Sequence, residues 1–279
     1  MCAVSLYQYC VGICMHQMTA RAGIKKHGEL AVQAIFKEFA QIEDKNVIEP
    51  LDASKLTHKQ RSEALRAISL IKEKRCGTIK GRTCADGRPQ RNLYPKEETA
   101  SPTVSTEALL LSLMIDAKEG RDVATADVAG AFLNADMDDF VIMKLEGKFV
   151  DTMCSVNAKY KDYVVLEGGK KALYLQLLKA LYGTVKASML WYNMFTGTIQ
   201  KLGFKLNPYD PCVAKAIIKG NQCTVVWYAD DNKISHVEYS VVTDIIKAIE
   251  VSFGKMTVTR GSSHTFIGMN IFFLGDERV

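Results

Sequence analysis

Cys223-Thr224-Val225-Val226-Trp227-Tyr228-Ala229-Asp230-Asp231-Asn232-Lys233-Ile234-Ser235-His236-Val237 is the stretch on which the fold of this chain turns. Val, Trp and Tyr favour extended backbone, so residues 223–227 read as a buried strand. Asp230 and Asp231, followed by Asn232, break that run, and Ile234 to Val237 resumes it. The pattern predicts a hairpin with two carboxylates at its tip. Asp and Asn are ordinary turn residues, so one reading is a solvated turn. Two ionised carboxylates held together repel each other unless a cation sits between them or one is protonated. A divalent-ion site is therefore the other reading.

A second segment, residues 122–134, reads Asp-Val-Ala-Thr-Ala-Asp-Val-Ala-Gly-Ala-Phe-Leu-Asn. The alternation of Val123, Thr125 and Asp127 predicts another strand, with Asp127 where it runs into a turn or short helix. A third carboxylate beside the hairpin would complete a hard oxygen-ligand site for magnesium or manganese. Two ions so held can clamp the attacking and leaving oxygens of an in-line phosphoryl transfer.

From about residue 78 to residue 273 the chain resembles the reverse transcriptase domain of copia-type LTR retrotransposons. Asp127-Val128 followed by Ala131-Phe132-Leu133-Asn134 is similar to the first palm motif of that family. Leu181-Tyr182-Gly183, with Trp191-Tyr192 beyond it, resembles its Leu-Tyr-Gly…Trp-Tyr segment. Asp210-Pro211-Cys212-Val213, Tyr228-Ala229-Asp230-Asp231 and Phe266-Ile267-Gly268 follow in the family's order. Upstream, Lys80-Gly81-Arg82 and Glu98-Thr99-Ala100-Ser101-Pro102 resemble its fingers elements. A lone Asp pair is a weak signal; this many motifs in one order is a strong one.

The resemblance implies roles residue by residue. Asp127, Asp230 and Asp231 would be the catalytic carboxylates and ligands of two Mg2+ (or Mn2+) ions, with the Val128 carbonyl as a further oxygen. Phe132 would be the steric gate beneath the sugar, with Ala131, Tyr182 and Gly183 beside the nucleotide. Gly183 would let backbone approach the template or the base closely. Lys80 and Arg82 would meet the triphosphate as charge-assisted donors, and Phe266 and Gly268 would lie near the primer grip. Trp191 is expected in the core. The partners implied are an RNA or DNA template with its primer, and dNTP. One departure stands out: after Gly183 the family has Leu-Lys-Gln-Ser-Pro, whereas this chain has Thr184-Val185-Lys186-Ala187-Ser188.

Composition agrees. The 279 residues are 48% hydrophobic and 24% charged, with a formal net charge of +5; that is ordinary for a globular chain and compatible with a nucleic-acid partner. Lys72, Lys74, Arg75, Lys80, Arg82, Arg88 and Arg91 crowd one stretch, which reads either as a solvated helix end with a basic loop or as part of the fingers. Cys2, Cys10, Cys14, Cys76, Cys84, Cys154, Cys212 and Cys223 show no metal-site pairing, and Cys10, Cys14 and His16 lack a fourth donor. An intracellular, reducing compartment, cytoplasm or nucleus, is expected. Met1 to Met15 has no basic flank and is too short to span a bilayer, so no membrane partner is expected.

Periodicity predicts helices over residues 29–42 (Ala31, Ile35, Phe36, Phe39 and Ile42 inward), 56–74 (Leu65, Ile68 and Ile71 inward, with a Thr57…Gln60 capping box), 106–118, 186–202 (Leu190, Trp191, Met194, Phe195 and Ile199 inward) and 239–252. Leu109, Leu110, Leu111 and Leu113 should bury the third of these. Residues 257–259 and 265–273 read as closing strands. The expected class is α+β: a polymerase palm with an antiparallel sheet and helices on one face, plus fingers, the thumb missing or truncated. Residues 1–28 are unassigned, 29–126 mainly fingers and leading helices, and 127–279 mainly palm, with fingers elements interleaved around 150–180. The function expected is RNA-directed DNA polymerase. The alternative is a non-catalytic truncated remnant, or a co-opted nucleic-acid-binding protein keeping the fold. A different two-metal nuclease or cyclase is a weaker third, which the Leu-Tyr-Gly…Trp-Tyr segment argues against.

Overall fold

The computed structural model describes residues 17–74 and 77–273. Cys2, Cys10, Cys14, His16, Arg75 and Cys76 lie outside the described residues, as does the apolar segment up to Met15. In chain order the elements begin with β1 (Gln17–Thr19), α1 (Ala20–His27), α2 (Glu29–Asp44), β2 (Ile48–Leu51), α3 (His58–Glu63), β3 (Leu65–Glu73) and β4 (Ile79–Ala85). They continue with α4 (Lys96–Thr99), α5 (Thr106–Lys118), β5 (Asp122–Val128), β6 (Asp136–Glu146), α6 (Lys148–Val156), β7 (Val165–Glu167) and β8 (Lys170–Lys179). Last come α7 (Ala187–Lys201), β9 (Lys205–Leu206), β10 (Val213–Ile218), β11 (Asn221–Tyr228), β12 (Asp231–His236), α8 (Tyr239–Phe253), β13 (Met256–Arg260), β14 (Ser263–Phe266) and β15 (Met269–Phe272). The described residues form two units, one before residue 94 together with 136–185, the other 94–135 together with those from 186 onward.

The first unit is built on a seven-stranded sheet in the order β1-β3-β6-β8-β2, with β4 beside β3 and β7 beside β8. Its α2 helix lies close on β4, where a Cβ on Gly81 would stand 2.6 Å from the Ala34 carbonyl oxygen. Ala31, Ile35, Phe39 and Ile42 are buried as expected, but Phe36 is exposed. Phe36 sits one 100° step to the side of the Ile35–Phe39–Ile42 stripe.

The predicted helix over residues 56–74 is corrected. Thr57 and Gln60 do form the capping box, Thr57 N–H donating to Gln60 Oε1 at 2.9 Å and Gln60 N–H to Thr57 Oγ1 at 3.2 Å. The helix they start stops at Glu63, and Leu65–Glu73 is strand β3. Residues 65–73 satisfy both periods, because Leu65 and Ile71 belong to a helical stripe and also to an alternating one. Pairing with β1, β4 and β6 decides for the strand. It buries Ser69 against Thr83, with their hydroxyls 3.1 Å apart, and leaves Ile68 partly exposed. Of the basic stretch, Lys72, Lys80 and Arg82 therefore lie on strands β3 and β4, while Arg88 and Arg91 lie in a short 3-10 helix, Arg88–Asn92, that follows β4.

The second unit carries a six-stranded antiparallel sheet in the order β13-β5-β12-β11-β10-β9. On one face Trp227 meets Phe195 of α7 at 5.4 Å between ring centroids, and Trp191 of α7 meets Phe253 of α8 at 4.9 Å. Such aromatic pairs add to the area they bury. The expectation of helices on one face holds for α7 and α8 but not for α5. On the opposite face Asp116 of α5 pairs with the fully buried Lys233, and His264 of β14 stands 3.2 Å from the Thr125 hydroxyl. The span of α5 is as expected, with Leu109 buried. Leu110 and Leu111 are 48% and 59% exposed, because adjacent leucines cannot all face one side of a helix. Met194 of α7 is likewise exposed. Residues 265–273, expected as one strand, split into the β14–β15 hairpin, with Ile267 and Gly268 both in the left-handed region.

Candidate functional site

β5 and β12 are antiparallel neighbours, and their register sets Asp127 directly opposite Asp231. On its other side Asp231 faces Tyr228 across the β11–β12 hairpin, which leaves Ala229-Asp230 as a two-residue loop. Residues directly opposite share a face, so Asp127 and Asp231 project from the same side of the sheet at one strand end. Asn232 does not break the strand as the sequence implied; it is fully buried within β12. Its side-chain amide donates to the Asp230 carbonyl at 2.9 Å, and Val128 N–H donates to the same oxygen at 3.2 Å. The Ala229 carbonyl accepts from the Trp191 indole at 2.8 Å. Both carbonyls of the tip thus accept hydrogen bonds from outside the loop.

The electrostatics follow from that register. Burial raises the Asp231 carboxyl first, and the charges of Asp230 and Asp127 add to it, pushing it up to about 6. Carboxylates crowding one strand end repel one another, and hard oxygen donors of this kind suit Mg2+ or Mn2+. Among the described residues no three His, Cys, Asp or Glu side chains are already closed around an ion-sized point. The donors fit the ions in chemistry and in register without forming a finished cage.

Past Val128 the chain turns through Gly130, in the left-handed region, into a short 3-10 helix, Ala131–Asn134. Ala131 is buried, and Phe132 packs partly exposed against the core. Phe132, Trp191, Tyr192, Trp227 and Ala229 line one small pocket, so the ring and the hairpin tip are neighbours. Phe266 is buried in the same core, and Gly268 sits in the turn after it. Lys80, Arg82, Tyr182 and Gly183 belong to the first unit. There the Arg82 guanidinium lies over the Tyr182 ring, 4.4 Å from its centroid, and Lys80 is exposed. Gly183 (φ 92°) has the Ala85 carbonyl oxygen 2.1 Å from where a Cβ would stand. The close approach that this glycine serves here is to its own chain.

A model of the family described as reverse transcriptase (RNA-dependent DNA polymerase) matches residues 55–275. The chain belongs to that family. It is also 24% identical over 193 residues to the Retrovirus-related Pol polyprotein from transposon TNT 1-94 of Nicotiana tabacum. That match covers 69% of this chain and 13% of the tobacco polyprotein, so the chain spans a small part of its relative's length. The copia-type assignment made on motif order stands, and the chain carries a reverse transcriptase family domain over most of its length. No helix among the described residues is long and apolar enough to cross a membrane.

The reverse transcriptase motifs also do structural work that sequence reasoning missed. Asp210 of the Asp-Pro-Cys-Val stretch is buried, accepting from Ser105 N–H at 2.8 Å, Ser105 Oγ at 2.9 Å and Cys212 N–H at 3.0 Å. It thereby ties that loop to the N-cap of α5. Tyr192 donates its hydroxyl to the Pro211 carbonyl at 3.2 Å. Lys186, where the family has Gln, stands 4.0 Å from Glu98 and 5.2 Å from the Tyr94 ring centroid. The departure has local partners. A buried Asp next to Pro is the one sequence signal that could have flagged Asp210; nothing local marks Asn232 or the Trp191 link.

Proposed function

We propose that this chain is an RNA-directed DNA polymerase domain that transfers a nucleotidyl group from dNTP to a primer 3′-hydroxyl. The register that pairs Asp127 with Asp231, with Asp230 at the adjoining tip, carries the reading. Asp127, Asp230 and Asp231 would hold two Mg2+ or Mn2+ ions, with the Val128 carbonyl as a further oxygen. The ions, when bound, lower the barrier to attack on the α-phosphate. The chain's own part is to fix three carboxylates on one rigid strand end. Phe132, presented by the 3-10 helix beside the hairpin, would exclude a 2′-hydroxyl and so select deoxynucleotides. Lys80 and Arg82 are proposed as triphosphate contacts, as fixed positive charges on β4. Ala131, Tyr182 and Gly183 are proposed near the nucleotide, and Phe266 and Gly268 near the primer end.

In this reading residues 94–135 and 186–279 correspond to the palm, and the other unit mainly to the fingers. The experiment is incorporation of labelled dTTP on poly(rA) primed with oligo(dT) in Mg2+ or Mn2+. Binding of the primed template without incorporation would favour the alternative, a nucleic-acid-binding protein that keeps the fold.

A further inference from the structure

We infer that Trp191 is a positioning residue for the carboxylate hairpin, acting through its indole N–H on the Ala229 carbonyl. The inference rests on the polymerase reading of the site. Ala229 has φ 53°, a left-handed backbone that L side chains adopt rarely. The direction in which the chain leaves Ala229 sets where Asp230 and Asp231 point, so whatever holds that residue also aims the carboxylates. The Trp191 donor lies 2.8 Å from its carbonyl oxygen. The indole is 1% exposed and fixed on two sides, 5.5 Å from the Phe195 ring centroid and 4.9 Å from that of Phe253. Phe195 also abuts Trp227, on the strand that leads into the tip. A donor with no freedom of its own, aimed at the strained residue of a two-residue loop, does more than fill space.

Trp191 touches none of the reacting atoms, so its effect should fall on rate. Small displacements of catalytic groups cost large factors in turnover while leaving ground-state binding nearly intact. Loss of the indole N–H should therefore lower kcat about tenfold, roughly what loss of one net hydrogen bond allows. KM for dNTP should stay within about twofold of the parent.

The test separates the N–H from the ring. At residue 191 the indole is replaced by benzothienylalanine, which keeps the bicyclic shape and puts sulfur in place of N–H; Trp191→Phe is the companion variant. Primer extension gives kcat and KM, and thermal unfolding gives the fraction folded. The expected result is a fall in kcat for the isostere with a near-parental melting temperature. A parental kcat in the isostere, with Trp191→Phe losing activity only as it loses folded protein, overturns the inference and leaves Trp191 as core alone. A parent that extends no primer defeats the polymerase reading instead. The positioning role is then judged on the backbone amides of Asp230 and Asp231. Their NMR shifts and exchange rates must change in the isostere, and unchanged values overturn it.

Discussion

Replacing Asp231 by Asn should stabilise the metal-free protein while abolishing its chemistry. The Asp231 carboxyl is raised from 3.8 to about 6, by burial first and by the charges of Asp230 and Asp127 next. A shift of about two units corresponds to roughly 3 kcal/mol of penalty on the ionised form. The group is only half buried, so solvent screening brings the expected effect to about 1–2 kcal/mol. Because the folded-state pKa lies above the unfolded one, the stability that goes with it is fully present below about pH 4. It is lost as pH rises through about 6. At pH 7 in EDTA, Asp231→Asn should melt about 2–8 °C above the parent, and the gap should close near pH 4. Added Mg2+ should raise the parent's melting temperature more than the variant's, since a ligand that binds only the folded state stabilises it. Calorimetry or circular dichroism at the two pH values measures this. A variant less stable than the parent at pH 7, or a gap that does not change with pH, would refute the charge-crowding argument.

Other expectations follow from neighbouring features. Lys233 and Asp116 form a fully buried ion pair, with Arg121 3.8 Å from the Asp116 carboxyl. Asp116→Ala should cost about 3–5 kcal/mol in urea unfolding, and Lys233→Met combined with Asp116→Leu should recover most of it. Phe132→Ala should raise ribonucleotide incorporation relative to deoxyribonucleotide in competition assays; unchanged selectivity would return Phe132 to a packing role. Binding of primed template should weaken steeply with salt, each contacting cation contributing about 0.7–0.9 to the log–log slope. Lys80→Ala and Arg82→Ala should in addition raise KM for dNTP, and a flat salt response would count against the β3–β4 hairpin as a contact surface.

The hairpin and the strand bearing Asp127 were legible because strand alternation, a carboxylate pair and a short loop coincide in a few residues. The α5, α7 and α8 helices were legible from their apolar period. Residues 65–73 were not, because Leu65 and Ile71 fit two periods and only the partner strands choose between them. The break at Ile267-Gly268 was hidden by a β-branched residue in a left-handed conformation that it seldom adopts. The exposure of Phe36, Leu110 and Met194 reflects helix rotation, which composition does not specify. The anchors of the hairpin tip escaped for a different reason. Trp191 and Ala229 are distant in sequence and meet only once α7 has packed on the sheet.

Extension of oligo(dT) on poly(rA) with dTTP and Mg2+, run side by side for the parent and Asp127→Asn, tests the central claim most directly. The carboxylate-register account predicts that the parent elongates the primer. The variant should fold and bind the primed template yet add no nucleotide, because Asp127 sits opposite Asp231 at the strand end where the ions are proposed to bind. Elongation by Asp127→Asn at the parental rate, or a parent that binds and never elongates, would contradict it.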